Sequence, residues 1–491
     1  MEQDLIQQLE ACETESRSLI RQGNIRGLEP VMRRWEDLLS RCQSQGLDTA
    51  DSHYFAMVFY QLNGALYQNV GQGRQMAESF LDGEKEAVRC GELLMMSGEA
   101  GQAPERHLIM AQNCGEYLRM AAAALETENS GAAFRMACAG ARISDWLWPM
   151  LDNDAARTSA EGSLQIFSMY TACGRWKEGT EWARKAAGRF EELHRRTGEA
   201  TDLCSQWKAE MAVLLQALAQ EGEGAGQLAG YLEKLETLEG QLSAQGGGKT
   251  DPAFWQIQAL SVMALAALGT AASLQKNKKE TEAYLSACCR KAQQAFQTAL
   301  RTGAGGVSDA AWQKVGNEIF NAYLSGVMIW GKYCFQEKRF QEAKEQYLEI
   351  LRQLDGNPFG MQQAAQLLCR IQIYTELGQM ALETGDAVGK ADFYYTHAAQ
   401  DAWEGVKNSQ TPQMLQAAVL ALLGAAEIKR QTDPAQADGY ARQGLEVCGL
   451  LEKMGGDGFS PGEVQQLRRE FEKSLNQKPG LLGRLFGKRK R

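Results

Sequence analysis

Residues 330–351 read WGKYCFQEKRFQEAKEQYLEIL. Gly331 sits in a helical pattern where a glycine costs about 1 kcal/mol against alanine, so it needs a packing reason. Its missing side chain lets a neighbouring helix come close. After a polar turn Phe340 opens a second helix, and Ala343, Tyr347 and Ile350 recur on it at helical spacing. Small and large positions alternating across a turn predict two antiparallel helices that interlock.

The order of these positions resembles the tetratricopeptide repeat. Trp330-Gly331 stands at that family's Leu-Gly place, and Cys334 replaces its usual aromatic. Residues 377–399, LGQMALETGDAVGKADFYYTHAA, repeat the scheme with Leu377, Gly378, Ala391, Tyr395 and Ala398, with one residue inserted in the turn. Residues 170–187 carry Tyr170, Trp176, Gly179, Ala183 and Ala186 at corresponding places. A fainter copy runs from Leu423-Gly424 through Ala437 and Ala441. The resemblance implies an all-α fold: an α-solenoid of stacked antiparallel hairpins that binds a protein or peptide partner. Unrelated amphipathic hairpins that happen to stack use the same physics and stay open as an alternative. Residues 312–320, WQKVGNEIF, resemble the first helix of the chaperone-binding members. Lys314 and Asn317 are three apart where that clamp's pair is four apart, so the clamp function is not carried over.

Composition agrees with the hairpins. Only 9 prolines in 491 residues leave room for long helices, and the 50 glycines gather in short breaks. The breaks fall at 221–227, 244–252, 302–308 and 454–462. Between them, Val31, Trp35, Leu38 and Leu39 form one core stripe opposite Arg33, Arg34, Glu36 and Asp37. The helix after Pro252 is apolar nearly all round, so it is expected to be central, although its apolar run near 264–272 reads as too short to span a bilayer. The expected organisation is a hairpin array over 1–243, a Gly-rich linker at 244–251, a second array over 252–455, a terminal helix at 456–477 and a tail at 478–491.

Most chemical signatures point away from catalysis. SAQGGGKT at 243–250 has the glycines, lysine and threonine of a phosphate-binding loop. The pattern needs a glycine where Ser243 stands, and a strand where a helix ends. Asp251-Pro252 then reads as a helix start, with Thr250 or Asp251 as the cap. Asp152 and Asp154 read as loop and cap residues, and His53, His107, His194 and His397 are isolated in sequence. The 12 cysteines include no CxxC pair and read as small buried hydrophobes of a reducing cytoplasm. No cofactor or metal is expected. The first residues, MEQDLIQQLEACETES, lack the basic and apolar regions of a secretory signal. A net charge of −9 argues against a broad nucleic-acid-binding face.

The tail KPGLLGRLFGKRKR departs from this. It carries six basic residues and no acid. Leu481, Leu482, Leu485 and Phe486 share one arc of a helical wheel, while Arg484, Lys488, Arg489, Lys490 and Arg491 supply cations. These are the parts of a short, flexible amphipathic anchor for an anionic membrane surface, or for an anionic partner. A solvated tail is the competing reading. The expected function is a non-enzymatic cytoplasmic adaptor, peripheral to the membrane through this tail. A peptide-sensing regulator, a co-chaperone-like assembly factor and an enzyme of unrecognised type are the alternatives.

Overall fold

The computed structural model describes residues 2–69, 72–125, 130–172, 175–244, 251–303, 309–361, 363–385, 388–408, 411–453 and 461–476. Every regular element among them is helical. The chain forms two compact units, Met1–Met169 and Tyr170–Arg491. The first holds α1 (Glu2–Arg21), α2 (Ile25–Ser44), α3 (Ala50–Asn69), α4 (Gly73–Met96), α5 (Glu105–Leu125), α6 (Ser130–Leu147) and most of α7 (Asn153–Ala172). The second begins with α8 (Trp176–Thr197), α9 (Ala200–Glu221), α10 (Ala225–Ala244), α11 (Pro252–Leu274), α12 (Lys278–Thr302) and α13 (Asp309–Gln336). It continues with α14 (Phe340–Gly356), α15 (Gln363–Glu383), α16 (Val388–Asn408), α17 (Pro412–Thr432), α18 (Pro434–Lys453) and α19 (Pro461–Asn476).

In both units successive helices pack as antiparallel hairpins, and the hairpins stack side by side as TPR-like repeats. In the second unit α11 touches both α9 and α13, and α17 touches both α15 and α19. Odd-numbered helices therefore form contiguous rows, and the even-numbered ones pack between them.

The helix ends follow local chemistry. Asp251 caps α11, its carboxylate accepting from the Ala253 amide at 2.8 Å, with Pro252 in the first turn. Thr411 caps α17 in the same way, again with proline following. Gly198 and Gly222 close α8 and α9 in left-handed geometry, at φ 70° and 75°. The expected breaks at 221–227, 302–308 and 454–462 fall where helices end.

Glycine sockets set the helix spacing. A Cβ on Gly331 of α13 would stand 2.8 Å from the Tyr347 ring of α14. One on Gly378 of α15 would stand 2.7 Å from the Tyr395 ring of α16, and Gly424 of α17 takes the opposite edge of the same ring. Tyr395 is thus a wedge shared by two hairpins. Ala343, Ala391 and Ala398 are fully buried beside these rings, and Tyr347 and Tyr395 are 1 % exposed. Phe340 is half-buried against Phe335, at 5.7 Å between ring centroids. Outside the residues singled out in the sequence, Phe80 fills a socket at Gly64, Tyr117 at Gly83 and Phe471 at Gly444.

The two compact units divide at Met169/Tyr170, and α10 and α11, on either side of the glycine-rich run, pack on each other inside the second unit. Glycine content reports a local break in helix, whereas a unit boundary depends on which faces pack afterwards. The apolar stretch of α11 is also longer than it reads. All 23 residues of Pro252–Leu274 are helical, and the most apolar 18-residue window among them has a mean hydropathy of 1.7, long and apolar enough to cross a membrane. The expectation of centrality holds: the helix is packed by α9, α10, α12 and α13, which bury 72 % of its most apolar window. Of SAQGGGKT, residues 245–250 lie outside the described residues, as does the tail from 477 onward.

The sockets make a paired prediction. Gly424→Ala should cost about 1–3 kcal/mol in chemical denaturation, because the new methyl meets a ring with nowhere to move. Gly439→Ala on α18, where a Cβ meets nothing within 4 Å, should stabilise by about 0.5–1 kcal/mol. Equal effects at the two sites would contradict the socket.

Candidate functional site

The row α9–α11–α13 carries a cavity of about 290 Å³ lined by all three helices. Its walls come from three helical stripes: Ser205 and Lys208 on α9; Gln256, Leu260 and Met263 on α11; Glu318, Asn321 and Ser325 on α13. Residues three or four apart share a helix face, so each helix presents one stripe to the cavity. Ala259 and Ala322 also line it, and their small side chains leave the space between the helices open. Met263 is 38 % exposed, the one large apolar side chain of this wall that stays open to solvent.

Its polar groups are arranged unequally. Lys208 Nζ donates to Glu318 Oε1 at 3.0 Å, joining α9 to α13. Both partners are partly exposed, so the pair contributes at most about 1 kcal/mol and serves mainly to fix position. Gln256 lines the cavity, and its Oε1 is buried without a hydrogen-bond partner; Asn317 Oδ1, on the neighbouring turn of α13 but outside the lining, is likewise buried and unpartnered. An unpaired buried carbonyl costs about 1–3 kcal/mol. The site therefore gains when something donates a hydrogen bond to it.

Nucleophilic chemistry is disfavoured here. Burial, with the carboxylates of Asp251 and Glu318 nearby, pushes the Cys204 thiol up to about 12. Burial likewise pushes Cys288 and Cys289 up to about 12. Such thiols are protonated at neutral pH and are poor nucleophiles. Every described cysteine is free, and among the described residues no group of three His, Cys, Asp or Glu side chains is placed to hold a metal. Asp152 caps α7 through the Ala155 amide at 2.8 Å, and Asp154 pairs with Arg157 at 3.1 Å.

The sequence-predicted positions lie elsewhere. Gly331, Phe340, Ala343, Tyr347, Gly378, Ala391, Tyr395 and Ala398 pack the stack and line no part of this cavity. Leu481, Leu482, Arg484, Leu485, Phe486, Lys488, Arg489, Lys490 and Arg491 lie outside the described residues. Lys208, Gln256, Met263, Glu318, Asn321 and Ser325 were missed. One signal was available: Gln256 and Gln258 interrupt a helix otherwise apolar all round, and a polar side chain in such a setting requires a partner.

In the first unit His53 of α3 stands between two carboxylates, 2.5 Å from Glu86 on α4 and 2.8 Å from Asp48. Arg89 also holds Asp48, at 3.0 Å through Nε. Hydrogen bonding to Glu86, opposed by partial burial, raises the His53 pKa, with Asp48 adding to the rise.

No family model matches the chain, and no curated protein matches it. Solved structures that match include a circular tandem repeat protein with a novel repeat topology, at 14 % identity over 96 % of this chain and 98 % of that one, TM-score 0.26. A monomeric mutant of IFIT1 with m7Gppp-AAAA matches at 10 % identity over 95 % and 90 %, TM-score 0.27. The APC/C hetero-tetramer Cut9-Hcn1 matches at 10 % identity over 94 % and 96 %, TM-score 0.19. Similarity this low carries nothing about function, and the repeat assignment stands on the helix packing itself.

The His53 geometry fixes a pH dependence. A histidine whose folded pKa lies above its unfolded value of about 6.5 contributes stability fully below that value and loses it as pH rises through the folded one. His53→Gln should therefore destabilise the chain most at pH 6 and progressively less toward pH 8.5, as read from thermal melts. A penalty that grows with pH would contradict the imidazolium.

Proposed function

We propose that the chain is a non-enzymatic cytoplasmic scaffold that binds a protein or peptide partner on the α9–α11–α13 face. One observation carries the reading: Gln256, a residue lining an open cavity, holds a buried carbonyl with no hydrogen-bond partner. A peptide main-chain N–H is the commonest donor for such a group. Asn321 and Ser325 lie one to two turns along α13 and offer further hydrogen bonds, and Met263 supplies an adaptable apolar contact. Protonated thiols and a structural rather than catalytic ion pair favour binding over reaction.

Affinity capture followed by mass spectrometry tests this. Met263→Asp changes an exposed side chain, so the fold should persist by circular dichroism while partners recovered by the wild type fall about tenfold or more. Identical recovery from both proteins would overturn the site.

We further propose that residues 481–491 give reversible affinity for an anionic membrane surface. What supports this is their composition, since each cation near such a surface contributes about 1 kcal/mol and the apolar arc adds to it. The intact protein should co-sediment with anionic but not neutral liposomes, and Leu485→Glu with Phe486→Glu should abolish most of that binding. If the intact protein stays in the supernatant with both, the tail is a solvated or partner-binding end.

A further inference from the structure

The first unit opens most widely at one step of its stack, among the described residues. At the α4/α5 step the second helix of one hairpin closes on the first helix of the next: Tyr117 seats on Gly83, and its hydroxyl donates to the Phe80 carbonyl at 3.0 Å. At the equivalent α2/α3 step the facing sides part instead, around a groove of about 680 Å³. Its lining runs from Ile25 to Gln43 on α2 and from Ser52 to Tyr67 on α3. That is about five turns of helix on the α2 wall and about four on the α3 wall.

The walls set the kind of occupant. Leu39 and Leu66 are half-buried in the groove, and Ile25, 58 % exposed, stands at its end. Both walls are helices whose backbone bonds are internally satisfied, so an extended peptide would bury main-chain groups against them without partners. A helix brings its own bonds and offers apolar side chains about once per turn, which suits Ile25, Leu28, Met32 and Leu39 spaced along the α2 wall.

Charge sets its character. The groove is lined by Glu29, Glu36 and Glu86, against a single fixed cation, Arg33. Arg33 is paired with Glu29 at 2.7 Å and Glu86 with His53, which leaves Glu36 exposed and with no ion pair among the described residues. We propose that this groove is a second binding site, independent of the α9–α11–α13 face, and that it receives an amphipathic helix with a basic polar side from another protein. The helix would complete the α2/α3 step as Tyr117 completes α4/α5.

The test uses the intact chain and three synthetic 18-residue probes. One is an amphipathic Leu/Lys helix, one its Leu/Glu counterpart, and one a Leu/Lys peptide interrupted by two central prolines. Hydrogen exchange should show protection by the Leu/Lys helix confined to residues 28–43 and 52–67. Fluorescence anisotropy should show the Leu/Glu and proline probes binding about tenfold or more weakly. Glu29→Lys with Glu36→Lys, both exposed positions, should reverse the preference between Lys and Glu probes. Leu66→Glu should weaken both helical probes while the melting transition persists. Protection elsewhere in the chain, equal binding of the proline probe, or an unchanged preference in the Glu29/Glu36 variant would each overturn the proposal.

Discussion

An aromatic ring seated on a bare glycine backbone is the contact on which the stack depends. Two helices approach closely only if one gives up a side chain, and the space released must be filled to interior density. Gly331 receives Tyr347, and Gly378 and Gly424 receive the two edges of Tyr395. Each pairing fixes distance and register together, because a ring displaced by one residue meets a Cβ instead of a gap. Tyr395 does more than close its own hairpin. By bridging α15 and α17 it carries the packing from one repeat into the next, and so makes a row of hairpins into one core.

Part of this was legible in the sequence because its causes are local. A glycine inside a helical pattern, an aromatic at fixed distance after a turn, and alanines between are requirements of one hairpin. They appear together in 330–351 and 377–399. The breaks were legible for the same reason: at 221–227 the glycines end one helix and let the next begin. What spacing could not reveal is which hairpin packs on which. The double duty of Tyr395 depends on Gly424, far along the chain. The division at Met169/Tyr170 carries no glycine run, while the helices on either side of the run at 244–251 pack on each other. The α9–α11–α13 cavity was hidden likewise, since its stripes come from three helices separated by dozens of residues.

Helix α11 joins the architecture to the function proposed. Its hydropathy would suit a lipid environment, yet four neighbouring helices cover it, and one of its few polar residues, Gln256, lines the cavity. Gln256 and Gln258 both hold a buried polar atom with no partner. A core helix gains nothing in stability from such groups. Their presence is accounted for if the uncovered side of the row is completed by another chain, with Gln256 at the contact.

The central claim is that glycine and ring act as one unit, and a double-mutant cycle between Tyr395→Leu and Gly424→Ala measures that unit directly. Chemical denaturation of the wild type, both single variants and the double variant gives the coupling energy. If the ring is what the Gly424 methyl collides with, Tyr395→Leu removes most of the cost of Gly424→Ala, and the coupling is about 1 kcal/mol or more. Additive effects, within about 0.3–0.5 kcal/mol, would contradict the account.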